Sequence, residues 1–224
     1  MIEPVAYASA EAATVTIPAA AKPGDIVVIF AFNDGSVTNP TIPTGWTNIT
    51  NTLDGTTCSA SVGWKVFATG DTSGTWTSAT GLMCIVLRSA DILAPIMTNA
   101  TSTGTTNTVT FAALTNANLR GARGYHIFAF LAHRSTDTNI NAAPPTGMAN
   151  VHSLLGATQD MAVHQATSDS EWASTNASIT GTASGWISMV LAIRPARLNV
   201  RNYHGISSGD NGVAGVISVT EKIR

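Results

Sequence analysis

The tetrapeptide Ile29-Phe30-Ala31-Phe32 recurs as Ile127-Phe128-Ala129-Phe130, and its surroundings recur with it. Thr14-Val15-Thr16-Ile17 is matched by Thr108-Val109-Thr110-Phe111, and Pro43-Thr44-Gly45-Trp46 by Pro145-Thr146-Gly147-Met148. Ala68-Thr69-Gly70-Asp71 is matched by Ala166-Thr167-Ser168-Asp169, and the apolar run after Gly81 by the run after Gly185. The matches keep their order at separations that drift only between 94 and 104 residues. Two half-repeats, about 14–92 and 108–194, are therefore expected. Residues 1–13 are left as an N-terminal segment and 196–224 as a C-terminal hairpin or extended arm.

Each half carries two short, strongly apolar runs. The first follows Pro23-Gly24-Asp25 and ends at Asn33-Asp34-Gly35, and the second follows Gly81 and ends at Arg88. Runs this short, bounded by turn residues and rich in β-branched and aromatic types, read as strands covered on both faces. The stretch Val62-Gly63-Trp64-Lys65-Val66 alternates instead, as a strand with one wet face does. Further short strands are expected at 14–18 and 46–49, with a turn at Asp54-Gly55. Residues 89–107 read as a crossover with one helical turn at 91–94. Apolar spacing at i, i+3, i+4 and i+7 never persists for three turns, which excludes long helices. The expected fold is an all-β antiparallel sandwich over 14–195, with facing sheets serving as lids for each other's central strands. Two tandem domains are the alternative.

Charged residues make up only 11% of the chain and the formal net charge is −2, so no strong field draws it to nucleic acid. No apolar run approaches the ~20 residues of a bilayer-spanning helix. The start, Met1-Ile2-Glu3-Pro4, lacks a basic segment followed by an apolar one, and synthesis in the cytosol is the expectation. Cys58 and Cys84 do not form a disulfide framework, and Cys84 reads as a small buried apolar residue.

Groups suited to chemistry are sparse. Gly205-Ile206-Ser207-Ser208-Gly209 matches the spacing of a nucleophile elbow, but a turn follows it and no histidine comes after His204. His126, His133, His152, His164 and His204 lack the close spacing of zinc ligands. His126 and His133 bracket one strand and share a loop region with His164 only if the fold brings them there. No metal or cofactor is expected, and no catalytic residue is assigned. Among the tryptophans, Trp46 corresponds to Met148 and Trp186 to Leu82, positions that need only an apolar group. Trp64 lies on the apolar face of its strand. Trp76 and Trp172 follow equivalent turns near loops and are the candidate ligand contacts, weighed against core packing. In the tail, Arg197, Arg201, Tyr203, Lys222 and Arg224 are candidates for docking on a partner.

The ordered set Thr14-Val15-Thr16-Ile17-Pro18, Lys22-Pro23-Gly24-Asp25 with its apolar strand, Pro43-Thr44-Gly45-Trp46, Trp64-Lys65-Val66-Phe67 and Cys84-Ile85-Val86-Leu87-Arg88 resembles a family of tailed-bacteriophage virion β-sandwich proteins. The ending Val190-Leu191-Ala192-Ile193-Arg194-Pro195 is similar to the way those domains close. The resemblance spans roughly residues 10–195 and implies a jelly-roll-like sandwich. It implies a non-enzymatic virion protein of the tail, fibre or baseplate, without cofactor. Its expected partners are other virion proteins, further copies of itself, and host-surface polysaccharide met through many weak contacts. A capsid decoration protein is the first alternative. A carbohydrate-binding module or carbohydrate-active enzyme is the second.

Overall fold

The computed structural model describes residues 2–114, 124–134, 144–167, 172–179, 184–196, 205–207 and 215–217. The four apolar runs become β2 (Ile26–Asp34), β5 (Gly81–Arg88), β8 (His126–His133) and β12 (Trp186–Ile193). Each is buried along nearly its whole length. Side chains of a strand alternate between two faces, so each of these strands needs a cover on both.

One sheet runs β1 (Glu3–Ala10), β5, β2, β4 (Cys58–Val66), β3 (Thr47–Leu53). The other runs β6 (Ile96–Gly104), β12, β8, β10 (Asp160–Thr167), β9 (Ala149–Leu155). All pairings are antiparallel. Each half-repeat thus folds into one complete sheet, and consecutive strands are not dealt alternately between the two. The inner faces meet in one core that joins Ile26, Val28, Phe30 and Phe32 to Phe128, Phe130 and Ala132. At its centre the Phe30 and Phe130 rings stack, 5.3 Å apart and 17° from parallel. Polar bonds cross the seam as well. Tyr7 Oη donates to Gln165 Oε1 at 2.8 Å, Thr80 Oγ1 to Gln159 Oε1 at 2.6 Å, and the Glu11 carboxylate accepts from the amides of Ala157 and Thr158.

The outer faces have separate lids. Over the first sheet, Val27, Ile29 and Ala31 lie beneath Val15, Ile42 and Trp76, which come from irregular segments. Over the second, Ile127, Ala129 and Leu131 lie beneath a two-stranded ribbon of β7 (Thr108–Phe111) and β11 (Thr175–Ser178), with Trp172 beside it. Facing sheets are therefore only half of the covering, and loops supply the rest. Past the body, β13 (Gly205–Ser207) and β14 (Gly215–Ile217) pair antiparallel with each other.

Several expectations need correction. Residues 3–10 are an edge strand on β5, so the sandwich begins well before residue 14. Residues 96–104 are the matching edge strand on β12 rather than part of a crossover. Both were hidden because edge positions are half exposed and carry small or hydroxylated side chains. No helical turn forms at 91–94, where Asp91 instead accepts the amides of Leu93 and Ala94. Residues 14–18 join no ladder. Their half of the lid is held by Ser73 Oγ, which accepts the Val15 amide at 3.1 Å, and by the Ala13 carbonyl, which accepts from the Trp76 amide at 2.8 Å. Counted from the starts of β2 and β8, from the left-handed glycines Gly24 and Gly124, and from the stacked phenylalanines, equivalent positions of this strand lie 100 residues apart. The repeated tetrapeptide, at a separation of 98, is thus displaced by two residues. An even slip leaves every side chain on its proper face.

Candidate functional site

The feature that faces solvent with the most specific chemistry is a groove on the outer side of the first sheet, built from β4 upward. Ala60 and Val62 of β4 enter the inter-sheet core, so Ser59, Ser61 and Gly63 face the other way. Ser59 Oγ lies 3.0 Å from the Ser36 carbonyl and 2.8 Å from that of Thr38, and Ser61 Oγ donates to the Pro40 carbonyl at 2.6 Å. These bonds hold loop 35–46 down on the sheet. The loop's last turn is closed by the Trp46 amide donating to the Pro43 carbonyl at 3.2 Å, with Gly45 left-handed at φ 86. At Gly63 a Cβ would stand 3.1 Å from Trp76 Cη2 and 3.1 Å from the Thr47 carbonyl. The missing side chain lets Trp76 lie against the strand.

Trp46 then packs edge-on to Trp76, with centroids 5.5 Å apart and planes at 69°. Lys65 Nζ sits 5.8 Å from the Trp46 ring centroid and is itself paired with Asp71 at 2.7 Å. A bulge in β3 completes the wall. Asn48 pairs with Gly63, Thr50 with Val62 and Asn51 with Ser61, so Ile49 is the extra residue and turns to the inner core. In a regular strand residues three apart face opposite ways, whereas the bulge sets Asn48 and Asn51 on one face. The result is an open depression of about 560 Å³ lined by Trp46, three carboxamides (Asn39, Asn48, Asn51) and two threonines, Thr41 and Thr44, with proline and isoleucine between them. No ionisable side chain lines it.

The second half repeats the scaffold but not its chemistry. A bulge at Val151 likewise sets Asn150 and Ser153 on one face, and there Asn150 Nδ2 donates to Ser153 Oγ at 3.0 Å. The position of Trp46 is taken by Met148, 9% exposed. Asn48 and Asn51, by contrast, are exposed and make no side-chain hydrogen bond to a described residue.

The expected ligand contacts lie elsewhere. Trp76 is 0% exposed, with its indole N–H donated to the Ser73 carbonyl at 3.1 Å, and Trp172 is 8% exposed. Both fill the lids over the outer faces, because a broad flat ring covers an apolar sheet well, and neither offers a face to a ligand. Trp46, read from the sequence as a position needing only an apolar group, is half-buried, as is Trp64, but Trp64 packs on the inter-sheet core while Trp46 lines the groove. The asymmetry between an aromatic in one half and a methionine in the other was the available signal. Arg197, Arg201, Tyr203, Lys222 and Arg224 lie outside the described residues, as do Asp169 and His204.

The histidines are not brought together. His126 and His133 occupy opposite ends of β8 on opposite faces, and His164 stands beside Ala129 midway along the ladder. Burial pushes His133 and His164 down to about 4, so both are neutral at pH 7. Ser184 Oγ lies 3.0 Å from His133 Nε2, with Asp160 opposite His133 in the ladder, which invites comparison with a catalytic triad. The Ser184 hydroxyl, however, donates to the Arg134 carbonyl. His133 Nδ1 is buried without a hydrogen-bond partner, so no carboxylate orients the ring. This contact is structural. Cys58 and Cys84 are buried free thiols, with Cys84 pushed up to about 12 by burial. Among the described residues no group of three or more His, Cys, Asp or Glu side chains is placed to hold a metal ion.

No family model, curated protein or solved structure matches this chain.

Proposed function

We propose that this protein is a non-enzymatic structural component of a bacteriophage virion, carried in the tail, a fibre or the baseplate, where it meets host-surface glycan. The observation that carries the reading is the open groove at Trp46, with no ionisable side chain in its lining, on a sandwich whose described histidines and cysteines are buried or half-buried. A rigid two-sheet body with a shallow polar surface suits contact with an extended polymer, and a deep reaction pocket is not needed for that task. The ordered strand and turn motifs that resemble phage virion sandwiches support the location. Multiple copies on one particle would raise weak single-site binding to useful avidity.

Immunogold electron microscopy of purified particles, with antibody raised against the recombinant chain, tests this reading. Gold at the tail or its tip is the expected result. Gold over the head would replace it with capsid decoration, and particles that stay unlabelled under conditions that expose the epitope would overturn the virion reading altogether.

A further inference from the structure

The groove at Trp46 has a chemistry that narrows its ligand. We infer that it is a binding site for a neutral pyranose unit of a glycan, stacked against Trp46 and hydrogen-bonded by Asn48 and Asn51. The inference deepens the surface-contact reading, on which it rests for the origin of the sugar.

Three features of the groove point to this class. A pyranose ring has a C–H face that packs on an aromatic ring, and Trp46 is half exposed at the groove. Its hydroxyls both donate and accept, and a carboxamide is the neutral side chain that does both at once. The carboxamides of Asn48 and Asn51 share a face because of the bulge at Ile49 and carry no side-chain hydrogen bond to a described residue that a ligand would have to break. No ionisable side chain lines the groove, and Lys65, 5.8 Å from the Trp46 ring centroid, is already paired with Asp71, so a charged ligand would lose water without gaining a free partner.

The internal repeat supplies the control. The second half keeps the bulge but closes its Asn150–Ser153 pair internally and puts a buried methionine where Trp46 stands. The fold therefore does not require an exposed tryptophan or two free carboxamides at this place. The site is also organised before any ligand arrives. Trp46 is braced by Trp76, and the loop by Ser59 and Ser61, so little conformational freedom is left to lose on binding.

The test is a titration of the isotopically labelled full chain with the methyl glycosides of glucose, galactose, mannose and N-acetylglucosamine, followed by amide and indole NMR. At least one glycoside is expected to shift the Trp46 indole and the Asn48 and Asn51 carboxamide signals, saturating in the millimolar range. Trp46→Ala should weaken that binding roughly tenfold or more. Since Trp46 braces Trp76, the double variant Asn48→Ala/Asn51→Ala, at two exposed positions, gives the same readout without threatening the core. Leu93→Ala, at a residue 87% exposed and outside the lining, should bind like the parent. No shift with any glycoside, shifts located elsewhere, or undiminished binding in the folded double variant would each overturn the inference. Because the titration uses isolated protein, its failure is separate from a failure to find the protein on particles.

Discussion

Mild acid should weaken this fold through its buried histidines. His133 and His164 are both 0% exposed, and burial lowers each from an ordinary 6.5 to about 4. The unfolded chain takes up their protons near 6.5 while the folded chain refuses them until about 4. Their neutral burial therefore leaves stability intact above 6.5 and removes it progressively as pH falls through that window. At pH 5 the loss is about 2 kcal/mol for each histidine, about 4 kcal/mol for the pair. That is a large share of the roughly 5–15 kcal/mol that holds an ordinary domain together. Burial lowers His126 and His152 as well, which adds to the effect. The carboxylates act later. Hydrogen bonds to the Asp54 carboxylate, and the Lys65 ammonium beside Asp71, hold both groups below their usual range, so their contributions are lost only as pH falls below about 4.

Urea unfolding followed by tryptophan fluorescence, at about pH 7.5 and about pH 5 and constant ionic strength, measures the difference. His164 is the cleaner probe, because both its ring nitrogens are buried without partners and the ring meets Phe111 edge-on at 6.0 Å. His164→Leu should recover about 2 kcal/mol of the acid loss. Equal stability of the parent at both pH values would refute the reasoning, as would a full acid loss retained in the variant.

Other consequences concern the seam between the sheets. Phe130→Ala removes a fully buried ring from the stack on Phe30 and should cost about 3–5 kcal/mol, read as a lower urea midpoint. Gly81→Ala would bring a Cβ within 2.5 Å of Gln159 Nε2 and 2.9 Å of Met161 Sδ on the opposite sheet, and should cost about 1–3 kcal/mol by the same assay.

The central strands were legible in the sequence because burial on both faces leaves an unbroken apolar run, as at 26–32 and 82–87. The edge strands β1 and β6 were not, because an edge meets the core on one face only and tolerates sequences such as Thr101-Ser102-Thr103-Gly104. The expected strand at 14–18 failed for a different reason. Its alternation is that of a lid lying on a sheet, and such a lid has the period of a strand without its ladder. At the groove, sequence showed the loop and Trp46 but could not show the bulge at Ile49, which is a matter of pairing register. Without the bulge, Asn48 and Asn51 would be assigned to opposite faces. Ranking tryptophans by nearness to turns also favoured Trp76 and Trp172, because a lid residue sits close to a turn in sequence while facing inward in space.

The position of the groove follows from how a duplicated sandwich divides its constraints. The inner faces must fit each other, and a change at Phe30 is felt by Phe130. The outer faces answer only to their own lids. The second lid is a paired ribbon, β7 with β11, whose backbone bonds satisfy each other. The first is irregular and depends on Ser59, Ser61 and Ser73 to accept or donate what a ladder would otherwise supply. An irregular lid leaves Asn39 and Trp46 free of pairing duty beside Asn48 and Asn51 of β3, and it lies a full sheet thickness from the seam. Substitution at Asn48 or Asn51 therefore does not reach the Phe30–Phe130 stack. Chemistry at the groove can change while the fold stays fixed, which is the condition a recognition surface needs if it is to follow a varying partner.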